Sequence, residues 1–469
     1  MPKKYQVPVK GAPPRFKPIG KYTTIELRED CAGSCRKCVK KGCIYNIFKD
    51  DYKHVAHMAE PEYLYACQSC FRCVQECTRG IFSRVINPEY RSLGDDYWEA
   101  DVIHRTWYQA HTGKIPVSGA GYRGPFVGEG FDSMWTDMSE IVRPTRDGIH
   151  GREYINTGIE LSRRNSRLSF SENGSPVPEM TPIFEIPVPV MLRQPEFGVL
   201  SENVLQAAVR AAYFLGTMFF INPEYYSANL AQFANCLVPC LSKHNYLDFL
   251  EHAPGIRMIE LGYDNEIGGV ISGLRAMKSG LIISAGVPLN SEAASRAVDL
   301  AGFGADTIHF YADSRGRELD SENPRFIKEM IREVHLRLVG KLIRNKVNLV
   351  FSGGIAMAEH VAKAIICGAD GVTIDIPLLI ALECRLCYQC KDGNACPVKI
   401  GEINPDWGKQ RIINLVGAWR NQLIEVMGAM GIREARRLRG EVGRSMWFED
   451  LERENFGPIF GEKKVSGLV

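Results

Sequence analysis

Between residues 181 and 376 the chain alternates short β-branched runs with helical stretches, a pattern that commits a chain to a parallel sheet covered by its own crossover helices. Eight runs read as strands: 184–191, 217–221, 235–238, 256–261, 281–284, 306–310, 348–351 and 371–375. The third is the weakest, being short and bounded by cysteine and proline. Stretches 201–215, which opens on Ser201 as an N-cap, 291–302, 324–338 and 357–368 read as crossover helices. Eight β/α units in roughly 200 residues predict an α/β fold, a TIM (β/α)8 barrel, with a doubly wound sheet as the alternative.

The second constraint is cysteine. Of 15 cysteines in 469 residues, 12 fall in three short runs, too tightly packed for a disulfide scaffold in a chain of this size. Clustered thiols point to metal. Run one is Cys31-x3-Cys35-x2-Cys38-x4-Cys43 and run two is Cys67-x2-Cys70-x2-Cys73-x3-Cys77, the latter with the spacing of two-cluster ferredoxins. In such runs the fourth thiolate ordinarily reaches the neighbouring cluster. The expected ligand sets are therefore Cys31, Cys35, Cys38 and Cys77 for one [4Fe-4S] cluster, and Cys67, Cys70, Cys73 and Cys43 for the other. The gaps in run one and Thr78 after Cys77 depart from the pattern. Zinc is the bland alternative, but zinc ribbons present separated C-x2-C pairs rather than three or four thiols within 11 to 13 residues. Run three, Cys384-x2-Cys387-x2-Cys390-x5-Cys396-Pro397, follows the last strand directly, which sets a third cluster near the C-terminal face of the barrel. Cys236 and Cys240 read as a pair of ligands or as buried small hydrophobes, and Cys367 as core.

These features divide the chain into a ferredoxin-like iron–sulfur domain at 1–95, a connecting layer at 96–180, the barrel with its cysteine run at 181–403, and a helical C-terminal segment at 404–469, with amphipathic stretches at 409–427 and 432–440. A Pro/Lys-rich lead reads as an extended arm. Lys plus Arg (57) nearly balance Asp plus Glu (55), leaving a net charge of +2, so no global positive field holds nucleic acid. No apolar stretch approaches the ~20 residues of a membrane span, and the start lacks an apolar signal core; a cytoplasmic protein is expected.

Ser352-Gly353-Gly354-Ile355 at the end of the seventh strand, followed by a helix and Gly368-Ala369-Asp370-Gly371-Val372, is a phosphate cradle in outline: glycines let backbone N–H groups approach an anion beside a helix N-terminus. Together with residues 141–155 (Ile-Val-Arg-Pro-Thr-Arg-Asp-Gly-Ile-His-Gly-Arg-Glu-Tyr-Ile), Phe197-Gly198-Val199-Leu200-Ser201 and the stretch from Ser352 to Cys384, it resembles the FMN-binding domain of glutamate synthases, particularly stand-alone archaeal-type versions. The resemblance implies an FMN barrel. It would set the phosphate near Ser352, Gly353, Gly354, Gly371, Thr373 and Asp375, and the isoalloxazine against the first-strand end around Val190 and Met191. It also implies a cluster at run three, where that family uses a three-cysteine [3Fe-4S] site; the extra Cys387 points to [4Fe-4S] here.

The departures bear on substrate. A family lysine in a Val-Lys-Leu-Val segment is absent from Gly286-Val287-Pro288-Leu289, and the family's glycine-rich loops are replaced by residues 310–317 and by Asn222-Pro223-Glu224-Tyr225-Tyr226. Replacement groups at the mouth are His309, Glu260, Asp264, Arg315 and Arg317, each with an ordinary structural reading beside it. No catalytic residue is assigned. The expected function is an FMN and iron–sulfur oxidoreductase subunit, passing electrons between a partner redox protein (a ferredoxin or subunits of a larger complex) and FMN. Arg36, Lys37, Lys40 and Lys41 offer charge for an acidic carrier. The alternatives are a ferredoxin-dependent aminating enzyme fed ammonia by a separate subunit, and a non-catalytic electron-transfer scaffold.

Overall fold

The computed structural model describes residues 5–17, 19–21, 44, 70–76, 86–115, 128–136, 155–164, 169–177, 183–278 and 280–461. Cysteines 31, 35, 38, 43, 67 and 77 of the first two runs, and most of residues 141–155, lie outside the described residues, and of Cys73 only the backbone is described.

Two prolines decide where the barrel begins. Pro187 and Pro189 have no N–H to give to a ladder, so the run read as 184–191 splits. Glu185–Ile186 pairs antiparallel with Ile159–Glu160, and the first barrel strand is β1, Val190–Arg193. The others are β2 (Phe219–Ile221), β3 (Leu237–Leu241), β4 (Met258–Gly262), β5 (Ile282–Pro288), β6 (Thr307–Tyr311), β7 (Asn348–Ser352) and β8 (Gly371–Ile374). Each pairs in parallel with the next and β8 closes on β1, completing an eight-stranded barrel. The expected TIM barrel is the fold observed. β3, weak in sequence, is a full strand.

Crossover helices follow their sequence signals. α2 (Glu202–Leu215) is capped by Ser201, whose hydroxyl accepts from the Val204 N–H at 3.4 Å, and it ends at Gly216 with φ 68°. Its Val204, Leu205, Val209 and Leu215 are buried, each contributing roughly 1.5–3 kcal/mol relative to exposure. α4 (Ile267–Met277), α5 (Ala293–Phe303), α6 (Ile327–Gly340) and α7 (Ala358–Cys367) complete the coat, with α3 (Tyr246–His252) shorter.

α9 (Pro405–Ala429) starts where Asn404 caps the Asp406 and Trp407 amides and packs on α2, α7 and α1 (Ala100–Thr112). It buries Arg411 and Asn414 completely, and both hydrogen-bond to main-chain carbonyls. Arg411 donates to the Ala381 and Ala12 carbonyls, while Asn414 Nδ2 donates to the Lys10 and Ala110 carbonyls. Unpaired, such groups would each cost roughly 1–3 kcal/mol or more. The stretch 432–440 forms only one helical turn, Ala435–Leu438. Its backbone is committed elsewhere, with the Ala435 N–H on the Asn156 carbonyl and the Asn156 N–H on the Arg433 carbonyl at 2.8 Å. Among the described residues no helix is long and apolar enough to cross a membrane.

Candidate active site and cofactor loops

The parallel register brings six side chains from five strands, Cys240, Glu260, Ser284, His309, Tyr311 and Thr373, into one cluster at the barrel's C-terminal mouth. Glu260 of β4 is its hub. Oε2 is bonded to His309 Nδ1 at 2.7 Å and accepts from the Ser284 hydroxyl at 3.3 Å; Oε1 accepts from the Tyr311 phenol at 3.3 Å and the Cys240 thiol at 3.5 Å. His309 Nε2 meets the Thr373 hydroxyl at 3.1 Å, and Phe220 packs on the imidazole with centroids 4.8 Å apart. Burial alone would push the Glu260 carboxyl up, but His309 and Arg193 hold it below the usual range, so it is ionised. Burial and the Glu260 charge push Tyr311 and Cys240 well above theirs, keeping both protonated.

Arg193, the last residue of β1, lies over Tyr311 with its guanidinium carbon 4.7 Å from the ring centroid. Tyr311 reaches inward because position 286 is glycine. A Cβ there would sit 1.6 Å from the phenol oxygen. Glu260 and His309, read separately in sequence as mouth carboxylate and barrel histidine, are therefore direct partners. Arg193 was not singled out, and its signal was the arginine ending the first barrel strand. With β1 starting only at Val190, its mouth end is Arg193; the Val190 carbonyl, at the start of the strand, takes the Thr217 hydroxyl at 2.7 Å. Met191, expected with Val190 beside the isoalloxazine, pairs in register with Thr373, the partner of His309.

The glycine cradle has the backbone a phosphate loop needs. Gly353 (φ 97°) and Gly354 (φ 66°) are left-handed, and added Cβ atoms would lie 2.4 Å from the Asp313 carbonyl and 2.6 Å from Gly316. Among the described residues nothing accepts the amide hydrogens of Gly353, Gly354 and Ile355. An anion there would be held by backbone N–H groups, so the loop fits a phosphate. Ser352 is buried and donates to the Phe310 carbonyl at 3.4 Å; Asp375 caps α8 (Ile376–Ala381) through the Ile376 N–H at 2.6 Å. Two expected members do not join them. Thr373 turns inward to His309, and Gly371 begins β8, packed against Ile159 and the Pro189 carbonyl at the other end of the strand.

Run three leaves α8 directly. Its thiols, Cys384, Cys387, Cys390 and Cys396, are all free, and the buried Cys384 thiol is raised by burial and then by Cys396, Cys387 and Cys390. Among the described residues no three His, Cys, Asp or Glu side chains are gathered tightly enough to hold a single metal ion. The loop nevertheless bends through four left-handed non-glycine residues: Glu383, Leu386, Tyr388 and Lys399. Each costs roughly 1–2 kcal/mol. Runs two and three share a turn that sequence reading did not exploit. In Cys70-Phe71-Arg72-Cys73, Phe71 has φ 59° and ψ 7°; in Cys387-Tyr388-Gln389-Cys390, Tyr388 has φ 56° and ψ 6°. The repeated Cys-aromatic-x-Cys was the available signal. Cys236 and Cys240 do not pair. They lie four residues apart along extended backbone, roughly 13 Å, with Cys236 bonded to the Phe233 carbonyl and Cys240 to Glu260. Cys367 is core, as expected.

The two loops are tied by residues 94–98. Tyr97 donates to the Gly354 carbonyl at 2.5 Å and Trp98 to the Ser314 carbonyl at 3.0 Å; Asp95 accepts from the Tyr388 phenol at 2.8 Å, and the Gly94 N–H reaches the Arg385 carbonyl. Arg315, read as an anion gripper or a surface ion pair, is paired with Asp95 and Asp96, and Arg317 with Glu129.

The protein is thus a closed parallel barrel with a glycine cradle after β7 and a cysteine loop after β8. The conserved region in glutamate synthase matches residues 327–433. The chain is similar to the archaeal-type glutamate synthase (NADPH) of Dehalococcoides mccartyi, 26% identical with 89% of this chain and 93% of the relative covered, and to the archaeal glutamate synthase (NADPH) of Archaeoglobus fulgidus, 25% identical with 92% and 96% covered. Among solved structures, mandelate oxidase superposes with a TM-score of 0.40 at 16% identity, over 65% of this chain and 98% of that one.

Proposed function

We propose that this protein is an FMN- and iron–sulfur-dependent oxidoreductase subunit that passes electrons between a partner redox protein and the barrel mouth. The observation that carries this reading is the direct hydrogen-bonded tie, through Tyr97, Asp95 and Tyr388, between the glycine cradle and the third cysteine loop. A cradle that fits a phosphate and a thiol-rich loop are tied to each other by one short segment, as an electron path requires. FMN bound there would exchange electrons in pairs or singly, and a [4Fe-4S] cluster on Cys384, Cys387, Cys390 and Cys396 would take one at a time. The spacing of run three, Cys384-x2-Cys387-x2-Cys390-x5-Cys396-Pro397, favours a cluster over zinc, whose ribbons present separated C-x2-C pairs. Runs one and two, with Cys31, Cys35, Cys38, Cys43, Cys67, Cys70, Cys73 and Cys77, would hold two more clusters toward a ferredoxin or complex partner. The reducing cytoplasm is where such thiolates persist.

Anaerobic purification from the native host with cofactor analysis tests this. One FMN and about 12 irons per chain, four for each of three clusters, are expected, with a co-purifying redox subunit. Absence of flavin with fewer than about eight irons would sink the reading. A second reading, glutamate formation from 2-oxoglutarate, rests on the similarity to archaeal glutamate synthases. Against it stands the mouth itself, where Tyr311 occupies the space above Gly286. Glutamate produced from 2-oxoglutarate, ammonia and reduced ferredoxin would favour it.

A further inference from the structure

We propose that Asp95 couples the glycine cradle to the third cysteine loop: an anion held by the cradle orders residues 386–397, and Tyr97 and Tyr388 are the positioning residues that carry the effect. The proposal rests on the reading of the cradle as a phosphate site and adds a regulation of that site.

At the cradle the effect turns on one peptide plane. The Tyr97 phenol donates to the Gly354 carbonyl at 2.5 Å, and in a trans peptide the N–H that follows, that of Ile355, points the opposite way. Fixing the carbonyl therefore fixes the direction of a donor that nothing among the described residues accepts. Gly354, left-handed and without a side chain, cannot hold this plane by itself. Trp98 steadies the neighbouring wall through the Ser314 carbonyl at 3.0 Å. An anion on the Ile355 N–H and the phenol on the Gly354 carbonyl grip the same plane from its two sides, so each strengthens the other's hold.

Asp95 carries that grip onward. Its Oδ1 accepts the Tyr97 and Trp98 amides at 2.9 and 2.8 Å, so the carboxylate sets the backbone from which Tyr97 reaches the cradle. Its Oδ2 accepts the Tyr388 phenol at 2.8 Å. Burial would raise the Asp95 carboxyl, but the bonds from Trp98, Tyr388 and Tyr97 hold it below the usual range. It is ionised, and bonds to an ionised acceptor are roughly twice as strong as neutral ones. The far end needs this support. The cysteine loop holds Glu383, Leu386, Tyr388 and Lys399 in left-handed backbone, and residues 387, 389, 391–395 and 397 are exposed. A strained, exposed loop has few contacts of its own, so its order depends on Tyr388 at Asp95 and on the Gly94 N–H at the Arg385 carbonyl. Whatever orders one end lowers the ordering cost at the other, and linkage makes the effect reciprocal.

Hydrogen exchange across residues 386–397 tests this on the full chain, measured alone, with saturating FMN and with saturating inorganic phosphate. Each ligand should slow exchange there by about fivefold or more, the lower end of ordinary coupling between sites. Tyr388→Phe keeps the ring and removes its bond to Asp95. It should weaken FMN binding, read from quenching of flavin fluorescence, by about fivefold or more, although Tyr388 bonds Asp95 and not the cradle. In Tyr97→Phe, saturating FMN should no longer slow exchange in the loop. Exchange that ignores both ligands in the unaltered protein, or an unchanged FMN affinity in Tyr388→Phe, would each overturn the coupling. The comparison on the unaltered protein decides it even where a variant fails to fold. The two ligands separate this proposal from the flavin function. Phosphate that slows exchange in a protein that takes no FMN would remove the flavin reading and leave the coupling. Bound FMN with unchanged exchange would do the reverse, and binding of neither ligand would remove both.

Discussion

Gly286 and Tyr311 behave as one unit: the phenol occupies the volume a side chain at 286 would need and is anchored there by Glu260. Gly286→Ala should therefore destabilise the fold by about 1–3 kcal/mol, as overpacking does. Tyr311→Phe should cost about 1.5–3 kcal/mol for a lost bond to a charged acceptor. Because removing the hydroxyl also removes the clash, the double variant should be less destabilised than the sum of the singles by about 1 kcal/mol or more. Urea unfolding of the four proteins measures this coupling. Strict additivity would show that the tyrosine swings away and that its bond to Glu260 is dispensable. At the cradle, Gly354→Ala meets backbone rather than a movable side chain, Gly316 at 2.6 Å. Loss of bound flavin is expected, read from the absorbance of the purified protein, with no relief from any second-site truncation.

At the scale of elements, α6 carries a pH-sensitive contact. His335 lies under Gly368 and Gly440 and takes the Arg344 Nε–H at 3.1 Å on Nδ1; burial and the Arg344 charge lower its pKa to about 4. In the unfolded chain histidine titrates near 6.5, so between pH 6.5 and 4 the unfolded state binds the extra proton. Stability from this contact is complete above pH 6.5 and falls by about 1–2 kcal/mol as the pH drops toward 4, after allowance for the half-exposed setting. His335→Gln should flatten that slope in urea midpoints taken at successive pH values. Much of the coat was legible from sequence, since caps such as Ser201 and Asn404 and the apolar faces of α2 and α9 are local signals. The start of β1 was blurred because proline was read as part of the run. The 432–440 segment was misread because its amphipathic pattern serves pairing with Asn156, a distant partner. The glycine cradle was visible because its backbone angles demand glycine. The Glu260–His309 pair was not visible as a pair, because only barrel register brings β4 and β6 together.

For the molecule as a whole, the N-terminal arm is a strap. The Arg15 amide donates to Glu383 Oε1 at 2.7 Å, its side chain donates to Oε2 and to the Val398 carbonyl, and the guanidinium stacks on Trp407. The Ala12 carbonyl takes Arg411, and Tyr5 donates to the Leu215 carbonyl. Glu383→Ala should free the strap and speed tryptic cleavage after Arg15 several-fold while the barrel stays intact; an unchanged digestion rate would mean that Arg411 and Trp407 hold it unaided. The strap ends at a closed base. The Asn87 N–H bonds the Lys21 carbonyl at 2.9 Å, the Asn87 side chain reaches the Gly20 carbonyl, and Glu89 pairs with Arg385 between Cys384 and Cys387. Residues 22–86 thus depart and return at one point beside run three. Because the residues flanking this stretch are fixed beside run three, any electron passed between the cysteines it carries and run three stays within one chain. Any exchange between them is a first-order event, with a rate that dilution leaves unchanged.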